Sequence, residues 1–387
     1  MKASRFEHRD LRLPEPSFNS GLTDLIIELD YLRKKPLGGT THPNVFFQLK
    51  HIFHTLESIG SARIEGNNTT IAEYIETKLD DQEVISSEIR EIRNIETTMV
   101  FIEETVKEFP INKMFITEVH KRVVEGLLPP PQGEGDHLPG QYRNVNLRIA
   151  GAAHIPPDHT QIEEYMSELL TFINNEHPTK YDLLKAAVVH HRFVWIHPFG
   201  NGNGRTVRLL TYAMLVRMGF NVNIGRILNP TAVFCSNRDD YYNYLSRADE
   251  GTDDGLLSWA EYVLKGLKEE IEKIDRLADY EFLKNEILLP ALRYSADREF
   301  ITEMEEKILR KVIDLQLIQA SDLEGFFPGK QRSEISRQIK RMIFKKMLAP
   351  EKEGKRKYLL RFDNNFLLRG VIKALGDKDF LPLRDEN

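Results

Sequence analysis

Apolar residues three and four positions apart run through most of this chain, a period that a helix satisfies and a strand does not. Ile85, Ile89, Ile92, Ile95, Met99, Ile102 and Val106 make one such apolar face. Ile116, Val119, Val123 and Leu127 make a second, which Pro129-Pro130-Pro131 stops. Leu183, Leu184, Ala187, Val188 and His191 give a third. Leu209 to Met218 is nearly all apolar, which predicts a buried helix. Gly255 to Leu289 reads as one long helix or a broken pair, with Pro290 ending it and marking a boundary. Strand-like alternation is scarce. Val145, Leu147 and Ile149 alternate with Asn146, Arg148 and Ala150, and Gly151-Ala152 can turn the chain toward His154-Ile155. That predicts a short hairpin, closed by Pro156-Pro157, after which Asp158 and Gln161 resemble a capping box. The expected fold is mostly α, with an isolated hairpin and a smaller C-terminal module.

Length and charge narrow the function classes. At 387 residues the chain is long enough for two or three domains. With 41% hydrophobic and 29% charged residues, wholesale disorder is excluded. No apolar run is long enough to span a bilayer, and MKASRFEHRDLRLPEP lacks the apolar stretch of a secretory signal, so a cytoplasmic location without membrane contact is expected. The single cysteine, Cys235, excludes an internal disulfide and a cysteine-based metal cage. The net charge of −6 argues against a nucleic-acid binder over the whole length. Lys330 to Arg361 nevertheless carries +9, leaving −15 elsewhere, and that short basic segment needs its own explanation.

The segment richest in chemistry is His197-Pro198-Phe199-Gly200-Asn201-Gly202-Asn203-Gly204-Arg205-Thr206-Val207-Arg208. An apolar helix ends at Trp195-Ile196, a polar glycine loop follows, and a second apolar helix starts near Gly204. Glycines and asparagines permit positive φ, so successive N–H groups can point into one concavity at a helix start, where anions bind. Arg205 and Arg208 share a helical face and can both reach a polyphosphate. His197 is the nearby side chain suited to proton transfer near neutral pH. The residues alone predict a phosphate cradle with an adjacent base.

The same segment resembles the Fic family signature, HPFx(D/E)GNGRxxR, through His197, Pro198, Phe199, Gly202, Asn203, Gly204, Arg205 and Arg208. Pro139-Gly140-Gln141-Tyr142-Arg143, the expected hairpin, Asn237-Arg238 and Tyr241-Tyr242 extend the resemblance over roughly residues 45 to 265. It implies transfer of AMP from ATP to a Ser, Thr or Tyr hydroxyl of a protein target, and of the enzyme itself. In that reading His197 is the base, and the loop Gly200 to Gly204 with Arg205 and Arg208 binds the phosphates. Tyr242 lies near the adenine, and a flap at Val145, Leu147 and Ile149 docks the target as an added strand. The family's acidic residue, which ligates Mg²⁺, is Asn201 here. Its neutral amide predicts weaker metal affinity and slower transfer.

A second resemblance lies upstream. Phe46, Leu49, Ile52, Phe53 and Leu56 form a helical stripe leading to Ser61-Ala62-Arg63-Ile64-Glu65-Gly66, where Gly66 suits a helix C-terminus. Ser61, Glu65 and Gly66 match the family's inhibitory motif (S/T)xxxE(G/N). The match implies a brake in which the Glu65 carboxylate occupies Arg208 in place of a γ-phosphate.

Beyond Pro290, Met304, Ile308 and Val312 mark one helix, Ser321 with Glu324 a capped second, and Ile335, Ile339, Met342 and Ile343 a third with a basic outer face. The basic run Lys355 to Leu360 then suggests a hairpin wing, and the whole resembles a winged helix-turn-helix. The expected domains are residues 1–110 (helical, with the inhibitory helix), 111–290 (catalytic core) and 291–387 (winged-helix-like). Lys330 to Arg361 is the expected DNA contact, and a surface that holds the brake closed is a place for a homodimer. The alternatives are a DNA-binding regulator with a vestigial nucleotide-sensing core, and a relative that transfers or removes another phosphate-linked group.

Overall fold

A computed structural model describes residues 6–35, 38–80, 85–149, 151–220, 228, 230–363 and 366–381. In chain order the helices begin with α1 (Gly21–Lys34), α2 (Pro43–Ile64), α3 (Ile71–Asp80), α4 (Ser87–Thr105) and α5 (Lys113–Val123). Next come α6 (Ile162–Asn174), α7 (Asp182–Ile196), α8 (Asn203–Arg217), α9 (Pro230–Ser236), α10 (Arg238–Ala248) and α11 (Asp253–Asp275). A short α12 (Tyr280–Phe282) passes through a π-helical stretch, Leu283–Leu288, into α13 (Leu289–Asp297). The remainder is α14 (Glu303–Leu315), α15 (Arg332–Phe344), the strands β1 (Leu348–Pro350) and β2 (Tyr358–Leu360), and α16 (Leu367–Asp377). The fold is mostly α, as the apolar period predicts. Among the described residues no helix is long and apolar enough to cross a membrane.

The chain forms two compact units. One comprises Met1–Pro36, Glu57–Thr69 and Ile85–Ile271, the other Leu37–Leu56, Thr70–Val84 and Glu272–Asn387. In the first unit α8 packs against α4, α5 and α7, and α6 packs on α7. Every α8 side chain from Arg205 to Val216 is buried, which accounts for the nearly all-apolar run from Leu209. Ser86 caps α4 by accepting the Ile89 N–H, and Asn112 does the same for α5 at Phe115. In the second unit α13 packs on α14 and α16, and β1 pairs antiparallel with β2 through Leu348–Leu360, Ala349–Leu359 and Pro350–Tyr358. Ile318 adds a single bridge to Tyr358.

Three expectations need correction. No strand forms among the described residues between Val145 and Ile155, and Ala150 lies outside them. The buried Arg143 guanidinium takes the carbonyls of Val145 (2.8 Å) and Pro157 (2.7 Å) that a ladder would use. Pro290 does not end a helix: it sits in the first turn of α13, directly after the π-helical stretch, and the last stretch of the second unit already begins at Glu272. The capping pair of the Ala320–Phe326 3₁₀ turn is Gln319 with Asp322 rather than Ser321 with Glu324.

Candidate active site

The loop between α7 and α8 is built by its own side chains. His197 closes α7 in the left-handed region (φ 52°), its N–H still reaching Phe193 O at 2.9 Å. A non-glycine residue pays strain there, and Pro198 prevents the helix from simply continuing. Asn203 clamps the loop from inside: Oδ1 accepts the Phe199 N–H and Nδ2 donates to Phe199 O, both at 2.9 Å. Phe199 is fully buried and stacks on His120 of α5, ring centroids 3.7 Å apart. His120 accepts the Gly140 N–H at Nδ1, so its Nε2–H donates to Asn201 O, each at 3.0 Å.

Of the three loop glycines, Gly202 is the one that uses positive φ (73°), and it starts α8. No side chain caps that helix, so its first N–H groups and its dipole remain available to an anion. The half-buried His197 places Nδ1 3.3 Å from Val194 O. A carbonyl only accepts, so Nδ1 carries the proton and Nε2 keeps its lone pair. Burial, aided by the charge of Arg143, pushes the imidazole pKa down to about 4, leaving a neutral base at pH 7. Arg143 also donates to His197 O at 2.9 Å, which ties the base to the 145–157 segment.

Arg205 and Arg208 are both buried, each facing a carboxylate. Arg208 donates from Nη2 to Glu65 Oε1 (2.7 Å) and to Ser61 O (2.9 Å), and from Nε to Ser61 Oγ (2.8 Å). Burial opposes charge on Glu65, but Arg208 and Arg205 outweigh it and hold the carboxyl below its usual range. Glu65 Oε1 lies where a Cβ on Gly204 would stand, so the carboxylate occupies the start of α8 itself. Gly66, at φ 105°, releases the chain from α2 just beyond Glu65. Arg205 Nη1 pairs with Glu91 Oε1 at 2.8 Å, and its Nη2 donates to Glu134 O at 2.7 Å. Burial pushes the Glu91 carboxyl up, with Arg205 and the Asn67 amide (2.8 Å) opposing it.

His197, the loop, Arg205, Arg208, Ser61 and Glu65 therefore come together. Tyr242 is 44% exposed on α10 beneath the Arg238 guanidinium, whereas its neighbour Tyr241 is buried and bonds His190 Nε2 at 3.0 Å. Val145 is exposed, and Leu147 and Ile149 are half-buried. Asn201 spends its N–H on Asp136 (2.8 Å) and its amide nitrogen on Gly135 O (3.1 Å) and Glu134 Oε2 (3.3 Å). Sequence reasoning missed Glu91, His120, Glu134 and Asp136. Only His120 left a trace, as a histidine beside Ile116, Val119 and Val123 on the apolar face of α5.

An uncapped helix start, a neutral histidine and two buried arginines thus meet around a glycine loop within one helical core. Residues 110–215 match the Fic/DOC family. It is similar to the protein adenylyltransferase Fic of Culex quinquefasciatus, 34% identical over 217 residues, which are 52% of this chain and 37% of that one. The Drosophila melanogaster protein of the same name is 33% identical over 211 residues, 53% of this chain and 38% of that one. The chain thus spans under two-fifths of these relatives' length. A Fic family protein from Desulfovibrio desulfuricans shares the fold with a TM-score of 0.54 at 19% identity, over 90% of this chain and 98% of that one. Fic-1 of C. elegans matches with a TM-score of 0.53 at 22% identity, covering 65% of this chain and 71% of that one.

Proposed function

We propose that this chain transfers AMP from ATP to a hydroxyl of a protein target, and that Glu65 restrains the reaction. The observation that carries the reading is the neutral His197, whose Nε2 has no hydrogen-bond partner among the described residues, at the entrance to the uncapped start of α8. His197 Nε2 takes the proton of the target hydroxyl as that oxygen bonds to the α-phosphorus. The bond from the α-phosphorus to its bridging oxygen breaks, and pyrophosphate leaves with the electron pair. N–H groups at the start of α8 stabilise charge on the phosphate oxygens, and Arg205 and Arg208 orient the leaving group. Mg²⁺, when bound, neutralises phosphate charge; Asn201 stands at the loop position that the family fills with an acid. The stretch Val145 to Ile149, which forms no strand, would present backbone to a target segment, and the exposed Tyr242 ring, beneath Arg238, would face adenine. With Glu65 on Arg208 and against Gly204, the seat of the terminal phosphates is taken by a carboxylate of the same charge sign.

Intact mass tests this reading on the wild type, Glu65→Gly and Glu65→Gly/His197→Ala after incubation with ATP and Mg²⁺. A gain of about one AMP (roughly 329 Da) on Glu65→Gly, weak on the wild type and lost with His197→Ala by about 10²- to 10⁴-fold in rate, is expected. No gain in any form removes the proposal.

A separate observation favours a second activity in the other unit. The order α14, the Ile318 bridge, a 3₁₀ turn, α15 and the β1–β2 hairpin suits a winged-helix module. On it Arg332, Arg337, Lys340, Arg341, Lys345 and Lys346 are exposed, as are Lys352, Lys355, Arg356 and Lys357 at the hairpin turn. Such a face suits the phosphates of a DNA duplex. Anisotropy of a labelled duplex should show binding that weakens at least tenfold between 50 and 200 mM salt, as several phosphate contacts require (about 10³ for six). No binding at the lower salt discards the reading.

A further inference from the structure

Position 201 lacks the acid of the family pattern, yet the loop beside it carries a carboxylate that nothing in the proposed mechanism uses. Arg208 is matched by Glu65, and Arg205 by Glu91. Asp136 is held by the N–H groups of Leu138 and Asn201, both at 2.8 Å, and lies 3.5 Å from His120. Glu134 is left over. Its Oε2 sits 3.3 Å from Asn201 Nδ2 and 3.5 Å from Arg205 Nη2, whereas no partner meets its Oε1 among the described residues.

The backbone that presents Glu134 is fixed even though the side chain is 43% exposed. Its carbonyl accepts from Arg205 at 2.7 Å. The Gly135 N–H bonds Leu128 O at 2.7 Å, and a Cβ on Gly135 would run into the Leu127 carbonyl. Asn201 is pinned in turn through Asp136 and Gly135 O, so its amide is a fixed donor toward Glu134.

Next to Arg205, whose buried Nε also has no partner among the described residues, an anionic ligand is expected. A carboxylate at the same place repels that ligand unless a cation lies between them. Hard divalent cations take carboxylate oxygens, and Mg²⁺ commonly uses one or two carboxylates with substrate phosphates and water. Among the described residues no three His, Cys, Asp or Glu side chains gather to hold a metal by themselves, so such an ion depends on the nucleotide for its other ligands. Given the AMP-transfer reading above, we infer that Glu134 supplies the carboxylate that binds the nucleotide's divalent cation, and that Asn201 orients it rather than binding the ion. The weak contact with Arg205, at 3.5 Å against 2.8 Å for Glu91, disfavours a second phosphate-mimicking brake.

The test uses full-length Glu65→Gly protein, Mn²⁺ as the probe and an ATP analogue that cannot transfer AMP. Mn²⁺ affinity is read by electron paramagnetic resonance, with analogue affinity in EDTA measured beside it and thermal melting as a check on folding. Glu134→Gln should weaken Mn²⁺ at least tenfold while leaving metal-free analogue binding intact. Adding Asn201→Asp to that variant should restore Mn²⁺ affinity, because the carboxylate returns at the loop position. Mn²⁺ affinity within twofold of the parent overturns the inference. Tighter analogue binding in EDTA with unchanged Mn²⁺ overturns it in favour of competition for Arg205. Absence of analogue binding in the parent itself removes the AMP-transfer reading on which the inference rests.

Discussion

Two arginines one turn apart on α8 meet two carboxylates of different standing. Glu91 belongs to α4, is 3% exposed, and is further held by Asn67. Glu65 lies one residue beyond the end of α2, is 27% exposed, and reaches Arg208 across the surface of Gly204. Both are arginine–carboxylate ion pairs; their burial and attachment differ. A buried ion pair inside packed helices costs several kcal/mol to break from one side, because the remaining charge stays in a dry place. Glu65, at a helix end and 27% exposed, can leave more cheaply, because water reaches it and the buried Arg208 keeps its bonds to Ser61. One pair holds the core together, and the other is suited to coming undone.

The same substitution at both sites tests that contrast. Glu65→Ala should raise AMP transfer by an order of magnitude or more, with a modest change in melting temperature. Glu91→Ala should lower stability by about 3–5 kcal/mol and reduce transfer, since the buried Arg205 then loses its counter-charge and is held only by the Glu134 carbonyl. Urea unfolding and an AMP-transfer assay run on both variants would decide it. Equal activation by the two would show that both carboxylates act as brakes.

A smaller effect sharpens the reading of the base. A histidine must be unprotonated to accept a proton, and burial lowers the pKa of His197 from its ordinary value to about 4. The acid limb of the pH profile should therefore lie below the usual histidine range, with kcat/KM of the Glu65→Gly form nearly level from pH 8 to about 5. An acid limb centred near pH 6.5 would place the base in a wetter setting than the structure gives it.

What the sequence made legible follows from distance along the chain. His197 to Arg208 is one unbroken stretch, so the loop, the base and both arginines could be read together. Ser61, in the last turn of α2, and Glu65, just beyond it, were legible only through the resemblance to the inhibitory motif. The apolar period placed α4, whose described range Ser87–Thr105 lies within the stripe from Ile85 to Val106. Glu91, Glu134 and Asp136 were hidden because nothing local marks a carboxylate as a partner for a residue 65 to 114 positions away. The hairpin was over-read for a related reason. Alternation at Val145, Leu147 and Ile149 says which side chains prefer burial, but the side chain of Arg143 decides where the carbonyls bond. Pro290 was over-read as well, because a proline in the first turn of a helix looks in sequence like one that ends it.

Under the proposed brake, the position of Glu65 has a kinetic meaning as well as an electrostatic one. Its carboxylate is tethered to the site it fills, with Asn67, two residues on, anchored to Glu88 O and Glu91. A ligand on so short a leash competes at an effective concentration of millimolar order or above, whatever the amount of protein. Raising ATP alone is then an inefficient way to displace it, because the tethered group rebinds as soon as the seat empties. Activity would be governed by whatever slackens the leash between residues 64 and 67, and the protein would answer to a binding event there more sharply than to the supply of nucleotide.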